Sequence, residues 1–241
     1  MNVKLSALAV GLTLAYGMSS AALADTASIE QIGSFNTAII DQDDNRGDEV
    51  NASIYTTGSG NYHNISQEDS SRVNASINAS GSGNTAYITQ EDLNYGGATV
   101  VQDAYGSYAE VDQGDGWGRR GGDAESQWAF IYQNSGWGHD ASIVQRGDKV
   151  EGTIVQAGGF GNSASMYQNG TGRGTDFNIA SISQTGSGNN ADVEQRGRDL
   201  NANVYQVGWG NSATVEQSGR GHSASVSQWG VGNNATVRQS N

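Results

Sequence analysis

Apolar and polar residues alternate along this chain in a five-residue motif, Ala-x-aliphatic-x-Gln, which recurs eighteen times between Ala27 and Gln239. The middle place is Ile or Val in every copy except the one that holds Met166. Alternate residues of a β-strand face the same way, whereas a helix needs a period near 3.6. The motif therefore predicts strands with Ala, the aliphatic residue and Gln on one face. Four copies depart from it in the first or fifth place, at His63, Gly152, Thr56 and Ala79.

The motifs come in pairs that start 11 or 12 residues apart, with turn residues between them. The stretch 184–191, Gln-Thr-Gly-Ser-Gly-Asn-Asn-Ala, is typical, because Gly and Asn tolerate the positive φ of tight turns. This pairing predicts nine strand–turn–strand units, called rungs 1 to 9 below. They cover residues 27–42, 52–67, 75–90, 98–113, 129–145, 152–168, 180–195, 202–217 and 224–239.

Units that repeat mostly every 22 to 23 residues predict an all-β fold, a β-solenoid of two parallel sheets with cross-β geometry. Parallel stacking places Gln on Gln, so that buried side-chain amides bond to one another along the axis. An antiparallel stack of hairpins is the alternative. The inward face should extend two residues before the first motif of a rung, at Val50, Val73, Val150 and Leu200.

Self-assembly is expected to depend on the stacked amides. The candidate residues are Gln31, Gln42, Gln184, Gln195, Gln206, Gln217, Gln228, Gln239, Asn189, Asn211 and Asn233. Solenoids usually end in polar capping repeats. Here the motifs run from Ala27 to two residues before Asn241. Both end rungs should then expose unpaired backbone groups that template another copy, which predicts end-to-end polymerisation.

The first 24 residues differ from the rest. Lys4 precedes an apolar stretch from Leu5 to Leu14, and Ala22-Leu23-Ala24 has the small residues of a cleavage site. This pattern predicts a secretory signal peptide over 1–24 and an exported repeat domain over 25–241. The apolar stretch is too short to span a bilayer, so no transmembrane protein is expected. The chain has 35 Gly but no Pro or Cys, which excludes a disulfide scaffold and leaves every segment free to pair.

Acidic residues are concentrated in the N-terminal half. Residues 25–115 hold fifteen acids and two arginines, whereas residues 180–241 hold four of each sign. One hypothesis is that the acidic half delays association while the neutral C-terminal rungs nucleate it. The alternative is that surface charge simply keeps an exported chain soluble. An acidic surface argues against nucleic acid as a specific partner.

The chain shows little sign of catalytic or metal chemistry. No nucleophile–base pair or phosphate loop is apparent, so neither an enzyme nor a cofactor is expected. The three histidines share no ligand spacing and are expected at turns and rung edges. The acidic stretch 41–48 approaches a calcium-loop spacing but lacks its terminal Glu, which favours a solvated turn. Two interruptions, 114–127 and 169–178, are expected to be mobile loops.

The extended signature, Gln-x-Gly-x-Gly-Asn-x-Ala-x-aliphatic-x-Gln, resembles the curlin repeat of curli amyloid fibre subunits. Residues 184–195, 206–217 and 228–239 match it place by place. The resemblance implies a secreted subunit of extracellular fibres on a Gram-negative bacterium, which serve the biofilm matrix and adhesion. It also implies homopolymerisation, a minor nucleator subunit, an outer-membrane secretion pore and accessory chaperones as partners.

The chain departs from the family's pattern at its N-terminus, where only Asp25 and Thr26 separate the predicted cleavage site from the first motif. The family's major subunit usually carries a Gly-rich segment there. The regular rung 9 favours a major-type subunit over the nucleator, which stays the alternative. A non-polymerising β-helix adhesin or carbohydrate-active protein is less favoured, because the rungs have two strands and no cluster of acids and bases.

Overall fold

The computed structural model describes residues 25–43, 45, 49–114, 124–171 and 176–241. Within these ranges the chain forms eighteen β-strands and no helix, and hence no helix that could cross a membrane. The predicted signal peptide lies outside the described residues. The strands are β1 Thr26–Ser34, β2 Thr37–Asp43, β3 Asn51–Ser59, β4 Tyr62–Glu68, β5 Ser71–Ser82, β6 Thr85–Glu91, β7 Leu93–Tyr105, β8 Tyr108–Gly114, β9 Ala124–Trp137, β10 Asp140–Asp148, β11 Val150–Ala157, β12 Ser163–Thr171, β13 Asn178–Ser187, β14 Asn190–Arg198, β15 Asn201–Trp209, β16 Ser212–Arg220, β17 Ser223–Val231 and β18 Asn234–Ser240.

The strands form two nine-stranded parallel sheets. The odd sheet joins β1 to β17 through the odd-numbered strands, and the even sheet joins β2 to β18. Each rung gives its first strand to the odd sheet and its second to the even sheet, which confirms the predicted β-solenoid. The antiparallel alternative is wrong, because neighbouring strands run parallel. Nine rungs at about 4.8 Å make a rod about 43 Å long.

The strand register is set by the motif. Between β13 and β15, Ala stacks on Ala, Ile182 on Val204, and Gln184 on Gln206. A slip of one residue would turn the whole apolar set outward, so burial of this face specifies the pairing. The four residues predicted to extend the inward face are buried as well. They are Val50, Val73, Val150 and Leu200.

The turn between the two strands of a rung depends on close backbone approach. Gly208 has φ 124°, and a Cβ added to it would collide with the carbonyl oxygen of Gly230 on the next rung. Gly210, two residues later, has φ 62° but open space around it. The first glycine of each Gly-x-Gly pair is therefore needed for stacking as well as for backbone conformation, and the second for conformation alone.

Both interruptions are shorter than predicted. Gln127 lies in β9, is fully buried, and pairs with Val150. Its Nε2 donates to the carbonyl oxygens of Gly114 and Gly147 at 2.9 and 2.7 Å. Asn178 is buried and pairs with Val150 from the other side. These residues continue the buried column that precedes the first motif, so the predicted loops end before them. Residues 115–123 and 172–175 lie outside the described ranges.

The prediction that all three histidines lie at turns and rung edges is wrong for His63, which lies inside the core. Its side chain is fully buried in β4, where it stacks between Ala38 and Ala86. Burial lowers the pKa of His63 to about 4, because desolvation penalises the imidazolium. His139 follows a turn but is also buried, and burial lowers its pKa despite a hydrogen bond to the Ser135 carbonyl. His222 is exposed.

Candidate assembly surfaces and amide ladders

A continuous ladder of glutamine amides runs through the even sheet. In each step the Nε2 of one glutamine donates to the Oε1 of the next rung, at 2.7 to 3.0 Å. The ladder joins Gln42, Gln67, Gln90, Gln113, Gln145, Gln168, Gln195, Gln217 and Gln239. A second N–H bonds a backbone carbonyl, as from Gln145 to Trp128 at 2.8 Å. The buried glutamine amides of the even sheet are thus satisfied at every interior rung.

The odd sheet carries a shorter ladder that begins at Gln102 and ends at Gln228. Its five steps span 2.8 to 3.0 Å and include Gln184 and Gln206. Rungs 2 and 3 interrupt it, because Thr56 and Ala79 stand in the glutamine place. Among the described atoms, the Nε2 of Gln31 and the Oε1 of Gln102 are buried without a hydrogen-bond partner. In the odd sheet, rung 1 therefore pairs with rung 2 without a glutamine side-chain hydrogen bond between them.

The departures from the motif compensate for one another across the core. In rung 2 Thr56 replaces Gln and His63 replaces Ala, and the Thr56 Oγ1 lies 2.8 Å from His63 Nδ1. In rung 6 Gly152 replaces Ala where Met166 replaces Ile. A Cβ at position 152 would come within 2.7 Å of Met166 Sδ. In each of these rungs, a residue larger or longer than the motif's usual one faces a residue that is smaller than usual on the other sheet. The core therefore stays filled.

A second amide ladder lines the turn inside each rung. The Oδ1 of Asn189 accepts the backbone N–H and the side-chain amide of Asn211 at 3.1 and 3.0 Å. Asn211 accepts from Asn233 in the same way, at 3.1 and 2.9 Å. The amides of Asn189 and Asn211 also donate to the carbonyls of Gly208 and Gly230, both at 3.1 Å. This contact holds the glycine turn of one rung against the next.

Sequence reasoning named only three members of this ladder. Four more asparagines occupy the same column, namely Asn36, Asn61, Asn84 and Asn162. In rungs 4 and 5 Ser107 and His139 stand in the column, and Ser107 accepts the His139 backbone N–H at 3.2 Å. Every member lies two residues before the first place of the second motif. That constant offset is the signal that could have identified them.

The two end rungs differ from the interior because one side of each is open in the described part of the chain. Their apolar motif residues Ile29, Ile40, Ala235 and Val237 are only partly buried. In both glutamine ladders the Nε2 donates toward the C-terminal rung, so rung 9 presents amide donors at Gln228 and Gln239. Rung 1 correspondingly presents side-chain carbonyl acceptors at Gln31 and Gln42. The two end rungs are thus complementary in hydrogen bonding.

The outer edge of β18 also has unpaired backbone donors. The Asn241 N–H donates to Ser218 at 3.3 Å, and the Asn233 carbonyl accepts from Ser212 at 2.7 Å. In a parallel ladder, alternate residues bond to opposite neighbours. The odd-numbered residues of β18 therefore bond to β16, and the N–H groups of Thr236 and Arg238 point away from the rod.

The described side chains include no group of three His, Cys, Asp or Glu residues placed to hold a metal ion. Part of the acidic stretch considered for calcium, including Asp48, lies outside the described residues. Tyr108 has its pKa raised to about 12, by burial and by its hydrogen bond to Glu110 at 2.9 Å. Its ring packs at a tilt against Tyr87, which packs in the same way against Tyr62, so these phenols form a surface column.

Comparison with protein families gives a match in the C-terminal rungs. Residues 197–230 and 208–240 match the model of the curlin associated repeat. The two matches overlap and together cover β15 to β18, where the motif recurs every 22 residues. No curated protein matches the chain.

Proposed function

Because residues 197–240 match the curlin associated repeat, we propose that this chain is a secreted subunit of a curli-type extracellular amyloid fibre. Each copy adds end to end to the previous one and continues both parallel sheets. The observation that carries the proposal is the pair of open, complementary end rungs. Addition would bury the half-exposed Ile29, Ile40, Ala235 and Val237 and would extend both amide ladders.

The stacking geometry supports a head-to-tail polymer. The Nε2 groups of Gln228 and Gln239 would donate to the Oε1 atoms of Gln31 and Gln42 in the next copy. The Asn233 Oδ1 would likewise accept the backbone N–H of that copy's Asn36, as the Asn211 Oδ1 accepts the Asn233 N–H within the chain. We infer that the predicted assembly residues act in this way: those of the interior rungs fix the register, and those of the end rungs join copies.

The remaining parts of the proposal follow from the family. We infer that residues 1–24 direct export and that residues 25–241 form the repeat domain. The fibre would lie at the surface of a Gram-negative bacterium and contribute to biofilm matrix and adhesion. Its partners would be other copies of itself, a nucleator subunit, and an outer-membrane pore with accessory chaperones. Rung 9 keeps the full motif and the full register with rung 8, which favours the major-type subunit over the nucleator.

The proposal can be tested at the growing end. Purified 25–241 should form fibres that bind thioflavin, give a cross-β diffraction pattern, and grow faster when sonicated fibres are added. Thr236→Pro removes an outward N–H without removing a bond to β16, because proline is tolerated on an edge strand. This variant should stop elongation when mixed in at a small fraction.

Thr236→Ala is the matched control, since it alters the same side chain but keeps the donor. It should elongate like the unaltered protein. A 25–241 chain that stays monomeric in the presence of seeds would contradict the proposed function. Equal elongation by Thr236→Pro and Thr236→Ala would contradict addition at this edge.

A further inference from the structure

The exposed apolar side chains are distributed unequally between the two sheets. Among the large hydrophobic side chains exposed in the described residues, all but Ile39 lie on the odd sheet or in the turn that follows it. The outer face of the odd sheet, called the odd face here, carries Tyr55, Trp128, Phe130, Ile179, Tyr205 and Trp229. Exposed fractions there range from 37% for Phe130 to 66% for Trp229, so large aromatic area remains in water.

Charge has the opposite distribution. At the outward places of the motif and the place after it, the odd sheet has two acids, Glu30 and Asp103, and no base. The same places on the even sheet hold nine acids and three arginines. In the odd strands of rungs 5 to 9, the motif and the residue on either side of it contain one charged side chain, Glu151. The odd face is therefore nearly neutral, and the even face is strongly acidic.

The odd face is also large enough for a specific interface. Nine rungs at about 4.8 Å and seven residues at about 3.3 Å give a face of about 1,000 Å². A standard protein interface buries about 800 Å² on each partner. The large hydrophobic side chains exposed on this nearly uncharged face are of the kind that marks protein interaction sites.

The arrangement of the rings favours a second rod over a sugar chain. Tyr205 and Trp229 of the odd face pack along the axis with ring centroids 5.4 Å apart and planes tilted by 52°, so they do not form a flat platform. A sugar platform would need ring faces turned outward. A second copy has the same rung spacing, so side chains of two odd faces can interdigitate at every rung.

We propose that the odd face is a lateral interface between two copies of this chain, packed face to face with their acidic even faces in solvent. Sheets packed in this way lie about 10 Å apart. The proposal deepens the proposed function, since it concerns how rods formed by end-to-end addition associate side by side. Like charge opposes contact through the even faces, because nine acids and three arginines give each of them a net negative charge.

Spin labels offer a direct test in otherwise unaltered fibres, because the chain has no native cysteine. Ser181→Cys places a nitroxide on the odd face, and Ser165→Cys places one on the even face as the matched control. Successive copies along one rod are about 43 Å apart, so a shorter distance must come from a lateral neighbour. We expect a distance of about 10 to 20 Å for the odd-face label alone. Equal distances from the two labels, or a short distance from the even-face label, would overturn the proposal.

Mass per length gives an independent test. Fibres of 25–241 should have at least two chains per nine rungs. Phe130→Glu combined with Tyr205→Glu should halve this value, whereas Val144→Glu combined with Tyr167→Glu on the even face should leave it unchanged. Fibres with one chain per nine rungs in the unaltered protein would overturn the lateral interface but leave the proposed function intact. Failure to form any fibre would instead contradict the proposed function.

The alternative is that the odd face binds a sugar chain, and cellulose, a neutral β-linked glucan, serves as the probe for it. Single-rod fibres that bind cellulose, and lose that binding in the Phe130→Glu/Tyr205→Glu variant, would show that the odd face binds carbohydrate instead. Fibres with two rods per cross-section and no cellulose binding by the odd face would support the interface.

Discussion

Gly152 faces Met166 across the core of rung 6, where a Cβ on the glycine would lie 2.7 Å from the methionine sulfur. Glycine at this place leaves room for the longer side chain opposite. The two departures from the motif therefore depend on each other: Met166 fits the core because position 152 is glycine.

This relationship predicts a strong coupling between the two residues. Gly152→Ala alone should destabilise the rod by about 1–3 kcal/mol, because the added methyl overpacks the core. Met166→Ile alone should leave a small void. The double variant restores the motif and should be close to neutral, giving a coupling free energy of about 1 kcal/mol or more in a double-mutant cycle. Urea unfolding in the non-elongating Thr236→Pro background measures it, and additive effects would contradict the packing described here.

Glycines within one turn should differ sharply in their tolerance to substitution. Gly208→Ala forces a side chain against the Gly230 carbonyl at a φ that L-residues rarely adopt, and should cost more than about 3 kcal/mol. Gly210→Ala meets no neighbouring atom and should cost only about 1 kcal/mol, the penalty of a left-handed backbone. Limited proteolysis should cut the Gly208→Ala variant near rung 8 and spare the other. Similar protection of both would argue against the close approach of the turns.

Interior glutamines should contribute more stability than terminal ones. Gln145→Leu removes the acceptor of Gln113 and the donor to Gln168, which leaves buried amides unpaired at a cost of about 3 kcal/mol. Gln239→Leu removes the acceptor of Gln217 and a donor to the Ser223 carbonyl, both at the exposed end rung, and should cost about 1 kcal/mol or less. Hydrogen exchange should accelerate around rungs 4 to 6 in the first variant and only in rung 9 in the second. Unchanged exchange around Gln145 would mean that the ladder does not stabilise the rod.

The strictness of the motif made the fold predictable. Once Ala, Ile or Val, and Gln recur at a fixed spacing, only parallel stacking buries them together, and the sequence alone gives the nine rungs. The compensating pairs were not predicted, because they depend on which residues meet across the core. The prediction for His63 was wrong because it did not consider the residue opposite. His63 occupies an inward place of the motif, and Thr56, which is smaller than the usual Gln, leaves room for its imidazole in the core. Gln127 and Asn178 are buried members of the column two residues before the first motif of each rung. The sequence identified that column only at its aliphatic members, such as Val150 and Leu200.

Like charges in register should slow association of the N-terminal half. Glu68 stacks on Glu91 in the even sheet, whereas in rungs 8 and 9 Glu216 is paired with Arg238 at 2.9 Å. A fragment 180–241 should therefore fibrillise with a shorter lag than a fragment 25–115, and 0.5 M salt should narrow the difference by screening, since the Debye length falls to a few ångströms. Thioflavin kinetics measure both lags. Equal or reversed lags at low salt would refute the charge hypothesis and leave surface charge with a solubilising role alone.

Acid should weaken the N-terminal rungs through His63. Burial lowers the pKa of His63 to about 4 from 6.5, so between these values the unfolded chain binds a proton that the folded chain does not. Its contribution to stability is complete above pH 6.5, falls by about 3 kcal/mol as the pH drops to 4, and then levels off. His63→Ala, which restores the residue found in most rungs, should remove this part of the pH dependence.

Thr56→Val is the control, because it deletes the hydroxyl that bonds Nδ1 but leaves an imidazole buried in the core. It should keep the slope between pH 4 and 6.5 that His63→Ala loses. Urea midpoints measured across this range, in the Thr236→Pro background, separate the two variants. Carboxylates contribute to the pH dependence of all three proteins alike, so the difference between variants isolates the imidazole. The same pH dependence in His63→Ala and in the parent would show that His63 titrates as it does in the unfolded chain.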